Sequence, residues 1–204
     1  MAPSEPKLKP SEIRRKKLIQ NVTDAMAASL AEHGYYSTSI EDIAAQLDLT
    51  KGALYYYWAS KEDLALESVT HVADLVYAEV DAIAKKDSSA ANRLHELISK
   101  QADMLVSDYA VHTRLFFAVV DWPVDFEPHI SALRHRYERV FRRVIDEGVA
   151  SGEFSMPSVT VARFCIQGAL AYLPIWYKSN KGIDAPEIGE AMAATLMRIF
   201  STPA

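Results

Sequence analysis

Little in this chain could carry covalent or redox chemistry. Of 204 residues only Cys165 is a cysteine, so no disulfide can close within the chain. That usage fits a reducing compartment, and the expected location is the cytoplasm. Seven glycines are scattered along the sequence and none builds a Gly-rich phosphate loop. The six histidines, His33, His71, His95, His112, His129 and His135, show no pair at ligand spacing on one helix with a partner carboxylate, so no metal site is expected. No Ser, His and Asp set sits in a nucleophile elbow. Neither an enzyme nor a cofactor is expected. The first ten residues hold Pro3, Pro6 and Pro10 and no apolar core, unlike a signal peptide. Apolar runs such as 169–177 are too short to span a bilayer, so no membrane partner is expected. There is no alternating strand pattern of useful length, no repeat and no low-complexity tract.

What is present is helical and patterned. Half of the residues are hydrophobic, enough for a sizeable core, and 24% are charged. The net charge of -5 argues against a nucleic-acid binder taken whole, but Lys7, Lys9, Arg14, Arg15, Lys16 and Lys17 lie together with only Glu12 opposing them. This is a basic arm on an acidic body. Apolar residues recur at three and four from Leu18 to Leu30, and Gly34 is a stop. Thr38 with Glu41, and Ser60 with Asp63, have capping-box spacing, while Thr50 caps a short helix from Lys51 to about Trp58. Further helices are expected from Ser60 towards Lys86, and over 88–108, 111–121, 128–150, 158–176 and 185–200. The expected class is all-α with about nine helices. Residues 1–12 are expected to form a flexible basic tail, and the rest of the chain to divide into two domains, 13–67 and 68–204.

Two short helices joined by a tight turn, after an amphipathic first helix, make a helix-turn-helix. The second of the pair offers its first residues to base edges in the major groove. Here these are Thr50, Lys51 and Gly52, with Tyr55 and Tyr56 one turn on for phosphates, sugars or thymine methyls. Three consecutive tyrosines cannot all face one core, because neighbours on a helix differ by about 100°. Leu54 and Tyr57 or Trp58 are expected inward. Thr38, Ser39 and Lys61 are expected at the phosphates on either side, with Arg14 and Arg15 from the arm. The expected partner is double-stranded operator DNA.

The run Gly34-Tyr35-Tyr36-Ser37-Thr38-Ser39-Ile40-Glu41-Asp42-Ile43-Ala44 resembles the start of the second helix in the TetR family (AcrR-like). Thr50-Lys51-Gly52-Ala53-Leu54-Tyr55-Tyr56-Tyr57-Trp58 and Ser60-Lys61-Glu62-Asp63-Leu64 resemble its recognition helix and fourth helix. These motifs cover residues 14 to 67. Asp48 stands where the family commonly has Gly, a substitution that tolerates the left-handed turn, and Trp58 where it commonly has Phe. The resemblance implies a repressor that a ligand releases from DNA. The run 148–154 is similar to a break between C-terminal helices in this family. Residues 168–177 with the last helix resemble the pair through which such proteins form homodimers. Trp176-Tyr177-Lys178 is similar to the branch that senses acyl-CoA and steroid thioesters.

The middle of the chain holds Tyr109, Phe116, Phe117, Val120, Trp122, Tyr137, Phe141, Tyr172 and Trp176. These residue types suit a plain core and a pocket for a hydrophobic small molecule alike. Arg114 and Arg139 are the candidate cations for an anionic head group. The arginines between Arg134 and Arg143 suit a solvated helix face equally well. Cys165, among apolar neighbours, is expected in the core. The rival reading is a protein that sequesters a hydrophobic small molecule without a regulatory DNA role.

Overall fold

The computed structural model describes residues 9–106, 115, 120–179 and 185–200. Among them run eight α-helices and no strand. The first four are α1 (Pro10–His33), α2 (Ile40–Gln46), α3 (Lys51–Tyr55) and α4 (Lys61–Ala84). They are followed by α5 (Ala90–Val106), α6 (Glu127–Ser151), α7 (Val159–Ser179) and α8 (Ala185–Leu196). Short 3-10 turns, Val124–Phe126 and Met197–Phe200, precede α6 and follow α8. The helix expected over 111–121 lies largely outside the described residues, although Leu115 is helical and buried.

Local chemistry sets most helix ends. Pro10 opens α1, where its missing N–H costs nothing, and the Lys9 amide donates to Glu12 Oε2 at 2.8 Å. Much of the basic arm is therefore helical. Thr50 Oγ1 accepts from the Ala53 amide at 3.2 Å and Ser60 Oγ from the Asp63 amide at 3.1 Å, each satisfying a helix-start donor. The cap of α2 is Ser39 rather than Thr38: its Oγ accepts from the Asp42 amide at 3.1 Å. Asp48 holds the turn between α2 and α3 at φ 55°.

The core gathers around α5, which packs against α4, α6, α7 and α8. Its buried face is Ala90, Leu94, Leu97, Ile98, Ala102 and Leu105, recurring at three and four, with Gln101 beside it. The α5–α8 contact is close because Gly189 has no side chain. A Cβ there would lie 2.2 Å from Asp103 Oδ1 and 2.8 Å from the Ser99 carbonyl oxygen. Glu153, just beyond α6, reaches across to accept from the Ala90 and Ala91 amides at 3.2 and 3.0 Å. Those bonds, the one to Ala91 foremost, hold its carboxyl below the usual range.

The helix α7 turns only a narrow face inward: Ala162, Ile166, Leu170 and Leu173. Its outer face is a stripe of Val161, Phe164, Cys165, Gly168, Tyr172 and Ile175 at helical spacing, all exposed. Cys165 is thus outside the core, because it sits one residue, roughly 100° of helix turn, from Ile166. By length and composition alone Val159–Tyr177 is long and apolar enough to cross a membrane, although no contiguous apolar run within it is. It carries Arg163 and Gln167 along its length. Pro174 lies inside the helix.

Candidate functional site

The structure makes α3 a short, firmly seated helix with an open outer side. Leu54 and Trp58 are buried beneath it, and the Trp58 indole N–H donates to Glu67 Oε2 at 2.7 Å. That anchor leaves Thr50, Lys51, Gly52, Tyr55 and Tyr56 exposed together, Tyr56 at 81%. Tyr57 is half-buried, and the Arg15 guanidinium lies 5.7 Å from its ring centre. This brings the α1 arm beside α3; Arg14 and Arg15 are both exposed. Lys51 forms an ion pair with Glu41 of α2 and lies 5.5 Å from the Tyr55 ring centre. The hydrogen bond between them raises the Lys51 pKa and lowers that of Glu41.

Two of the expected phosphate contacts are otherwise engaged. Thr38 is buried; its hydroxyl donates to the Gly34 carbonyl at 2.9 Å and lies 3.0 Å from Ser29 Oγ. A hydroxyl spent inside the fold cannot meet DNA. Lys61 is half-buried, with Nζ donating to the Tyr35 carbonyl at 2.7 Å and 4.2 Å above the Tyr35 ring centre. It ties α4 to the loop before α2. Ser39 stays at the start of α2, its hydroxyl also donating to Asp42 Oδ2 at 2.6 Å.

The sequence reading missed three residues here: Glu41 as the partner of Lys51, Glu67 as the acceptor of Trp58, and Tyr35. Tyr35 is buried, and its hydroxyl donates to Glu62 Oε1 at 2.7 Å. Burial first, then that bond, push its phenol well above the ordinary pKa. No spacing rule joins these partners, which lie 9 to 27 residues apart.

In the C-terminal part, Tyr137 and Phe141 are buried side by side, ring centres 5.3 Å apart, with the Tyr137 hydroxyl on Gln101 Oε1. Val120, Trp122 and Trp176 are half-buried against the same core. Tyr109, Arg114, Phe116 and Phe117 lie outside the described residues. Two candidates do not join this group. Tyr172 is 58% exposed on the outer stripe of α7. Arg139 is exposed on α6, about 200° of helix turn from Tyr137. It lines two grooves open to solvent, of about 730 and 450 Å³. Its neighbours there are ion-paired: Arg136 with Asp74, Arg143 with Asp81 at 3.2 Å, and Arg142 with Asp146 at 3.5 Å. The arginines of α6 form a solvated outer face rather than the mouth of a pocket in the core.

Residues 22–67 match the family described as bacterial regulatory proteins, tetR family, and residues 87–200 match the tetracyclin repressor-like C-terminal domain. The chain is 24% identical over 203 residues to the HTH-type transcriptional repressor KstR2 of Mycolicibacterium smegmatis, covering 97% of this chain and 94% of that one. A transcriptional regulator of the TetR/AcrR family from Thermobifida fusca superposes with a TM-score of 0.69 at 28% identity, over 93% of this chain and 99% of that one. FadR from Bacillus subtilis, solved in complex with stearoyl-CoA, superposes with a TM-score of 0.74 at 22% identity, over 89% and 99%. With an anchored α3 behind a left-handed turn, and a family match over more than half of its length, this chain belongs to the TetR family of bacterial regulatory proteins and is a helix-turn-helix, DNA-binding transcriptional regulator.

Proposed function

We propose that the protein is a dimeric cytoplasmic repressor that a hydrophobic acyl-CoA-type effector releases from a two-fold operator. The observation that carries the DNA half is the outer side of α3. Thr50, Lys51, Gly52, Tyr55 and Tyr56 stand exposed on a helix whose other side is locked by Leu54 and Trp58. Such a surface reads base edges with short side chains and grips the backbone with hydroxyls and cations. Arg14, Arg15 and the start of α2 at Ser39 flank it. On this reading residues 13–67 bind DNA behind a basic tail of 1–12, and 68–204 bind the effector and the second subunit.

The second subunit is assigned to the outer stripe of α7. Val161, Phe164, Tyr172 and Ile175 are each between 57% and 61% exposed, and a contiguous apolar face of this kind calls for a partner. A two-fold copy covers it with the same face and sets two α3 helices about 34 Å apart, one turn of DNA.

The effector class rests on the relatives: one solved structure of this fold holds stearoyl-CoA, and KstR2 is another member. The pocket is assigned to Val120, Trp122, Tyr137, Phe141 and Trp176 with Tyr109, Phe116 and Phe117, and the anionic end to Arg114. The effector acts by binding better to the arrangement whose α3 spacing misses successive grooves; equal affinity for both would shift nothing. Fluorescence anisotropy on a duplex spanning the promoter of the protein's own gene tests this. Titration with stearoyl-CoA, stearate or a steroid is expected to release the duplex. Release by a cationic drug alone overturns the effector class. A sequestering protein would bind the lipid and leave the duplex free throughout.

A further inference from the structure

The aromatic cluster formed by Tyr35, Trp122 and Phe126 joins the two halves of the molecule at one point. The ring centres of Tyr35 and Phe126 are 5.3 Å apart in an edge-on arrangement. Tyr35 and Trp122 are 6.3 Å apart, and Trp122 and Phe126 are stacked at 6.0 Å. All three distances fall in the range where ring pairs attract. On the N-terminal side, Tyr35 holds the starts of two helices. Its carbonyl accepts from Lys61 Nζ at 2.7 Å and from the Thr38 amide at 3.3 Å, and its hydroxyl donates to Glu62. Between these two anchored points run α2, the Asp48 turn and α3. On the C-terminal side, Phe126 leads directly into α6, whose next turns bury Ile130, Leu133, Tyr137 and Phe141 in the core. The Trp122 indole nitrogen is buried with no acceptor among the described residues. An unpaired buried donor is a cost that a second arrangement can relieve.

We propose that Tyr35, Trp122 and Phe126 are positioning residues for DNA binding: a joint through which the C-terminal core sets where α3 stands. The proposal rests on the DNA-binding and effector reading above, and adds the route between them. In the arrangement described here the cluster holds α3 in its reading position. Movement of α6 or of the chain at Trp122 reaches α3 through the Tyr35 ring and the starts of α2 and α4, without altering any residue that faces DNA.

A double-mutant cycle tests the joint, since shared coupling appears as non-additivity. The full-length parent, Tyr35→Leu, Trp122→Leu and the double variant are compared on a duplex that the parent selects from a randomised library. Binding by the parent reports on the DNA reading, and the cycle on the joint alone. Each single change is expected to weaken binding about three- to tenfold, with the double variant no weaker than the weaker single. Effects that multiply, or a Trp122→Leu variant that binds as the parent does, overturn the proposal. Phe126→Leu replaces Trp122→Leu in the same cycle if the latter does not fold. Hydrogen exchange gives a readout without DNA. Trp122→Leu is expected to speed exchange of amides in 36–56 while those of α5 keep their rates. An increase confined to 120–130, or spread evenly over the chain, overturns it too.

Discussion

The outer surfaces of α3 and α7 are both exposed and both aromatic, yet they differ in what surrounds each ring. Around α3, Tyr55 and Tyr56 end in hydroxyls and stand among Thr50, Lys51 and Glu41. Along α7, Val161, Phe164 and Ile175 present hydrocarbon through several turns, interrupted by the Cys165 thiol and the Tyr172 hydroxyl and with Arg163 beside Phe164. Water solvates the first surface well, so it can wait for a charged, hydrated partner such as DNA. The second loses free energy in water and would gain by being covered, which suits the apolar, long-lasting partner proposed for it. Both surfaces sit on helices held from beneath by a buried row, Leu54 and Trp58 in one case and Ile166, Leu170 and Leu173 in the other.

The sharpest way to break the comparison is to place a charge on either side of the same helix pair. Leu196 of α8 is buried within its own subunit, at 9% exposure. Leu196→Asp is expected to cost about 3 kcal/mol or more of folding stability, read by urea denaturation. A folded Leu196→Asp monomer with unchanged stability would show that α8 faces outward instead. Phe164→Glu, on the proposed dimer face, is expected to keep the helical circular dichroism and raise the dimer dissociation constant about thirtyfold or more, the loss of about 2 kcal/mol that follows if Phe164 anchors that face. Sedimentation over a concentration series without detergent reads this, and the same experiment separates a second copy from a lipid surface as the cover.

Changes on α3 sharpen the other side. Lys51→Ala is expected to weaken operator binding by about tenfold and to lower the slope of affinity against salt by about one ion. Glu41→Gln frees the Lys51 ammonium and removes a carboxylate from the same face, so it is expected to strengthen binding; a surface pair of this kind contributes little to stability. Tighter binding by Glu41→Ala but not by Glu41→Gln would point to bulk rather than charge. The smallest effect belongs to the cap. Ser39→Ala is expected to lose about 1 kcal/mol in thermal or chemical unfolding. Unchanged operator affinity would mark Ser39 as a cap alone, and a loss of affinity with an unchanged salt slope as an uncharged phosphate contact.

Much of the N-terminal half was legible because its rules are local. A cap and the amide that it accepts are three residues apart, as in Thr50 with Ala53 and Ser60 with Asp63, and an inward stripe repeats every three or four residues. Thr38 was expected as the cap in place of Ser39 because either hydroxyl suits the position. Only the packed structure shows Thr38 turned towards Ser29, nine residues back. The C-terminal half was legible as helices but not as surfaces. Periodicity shows that α6 has an apolar side; it does not say that Arg136 and Arg143 meet Asp74 and Asp81, each 62 residues away.

By itself, then, the sequence determined the all-helical class, the turn at Asp48, the seating of Leu54 under an exposed Thr50–Tyr56 face, and the family. Tertiary structure alone decided that Lys61 reaches the Tyr35 carbonyl, that Glu41 answers Lys51, that Arg139, Cys165 and Tyr172 look outward, and that Tyr35 meets Trp122 and Phe126. Helix propensity, caps and turns act over about four residues and are written in neighbouring letters. Which side of a half-apolar helix is covered, and which charge finds which partner, depends on where distant segments come to rest.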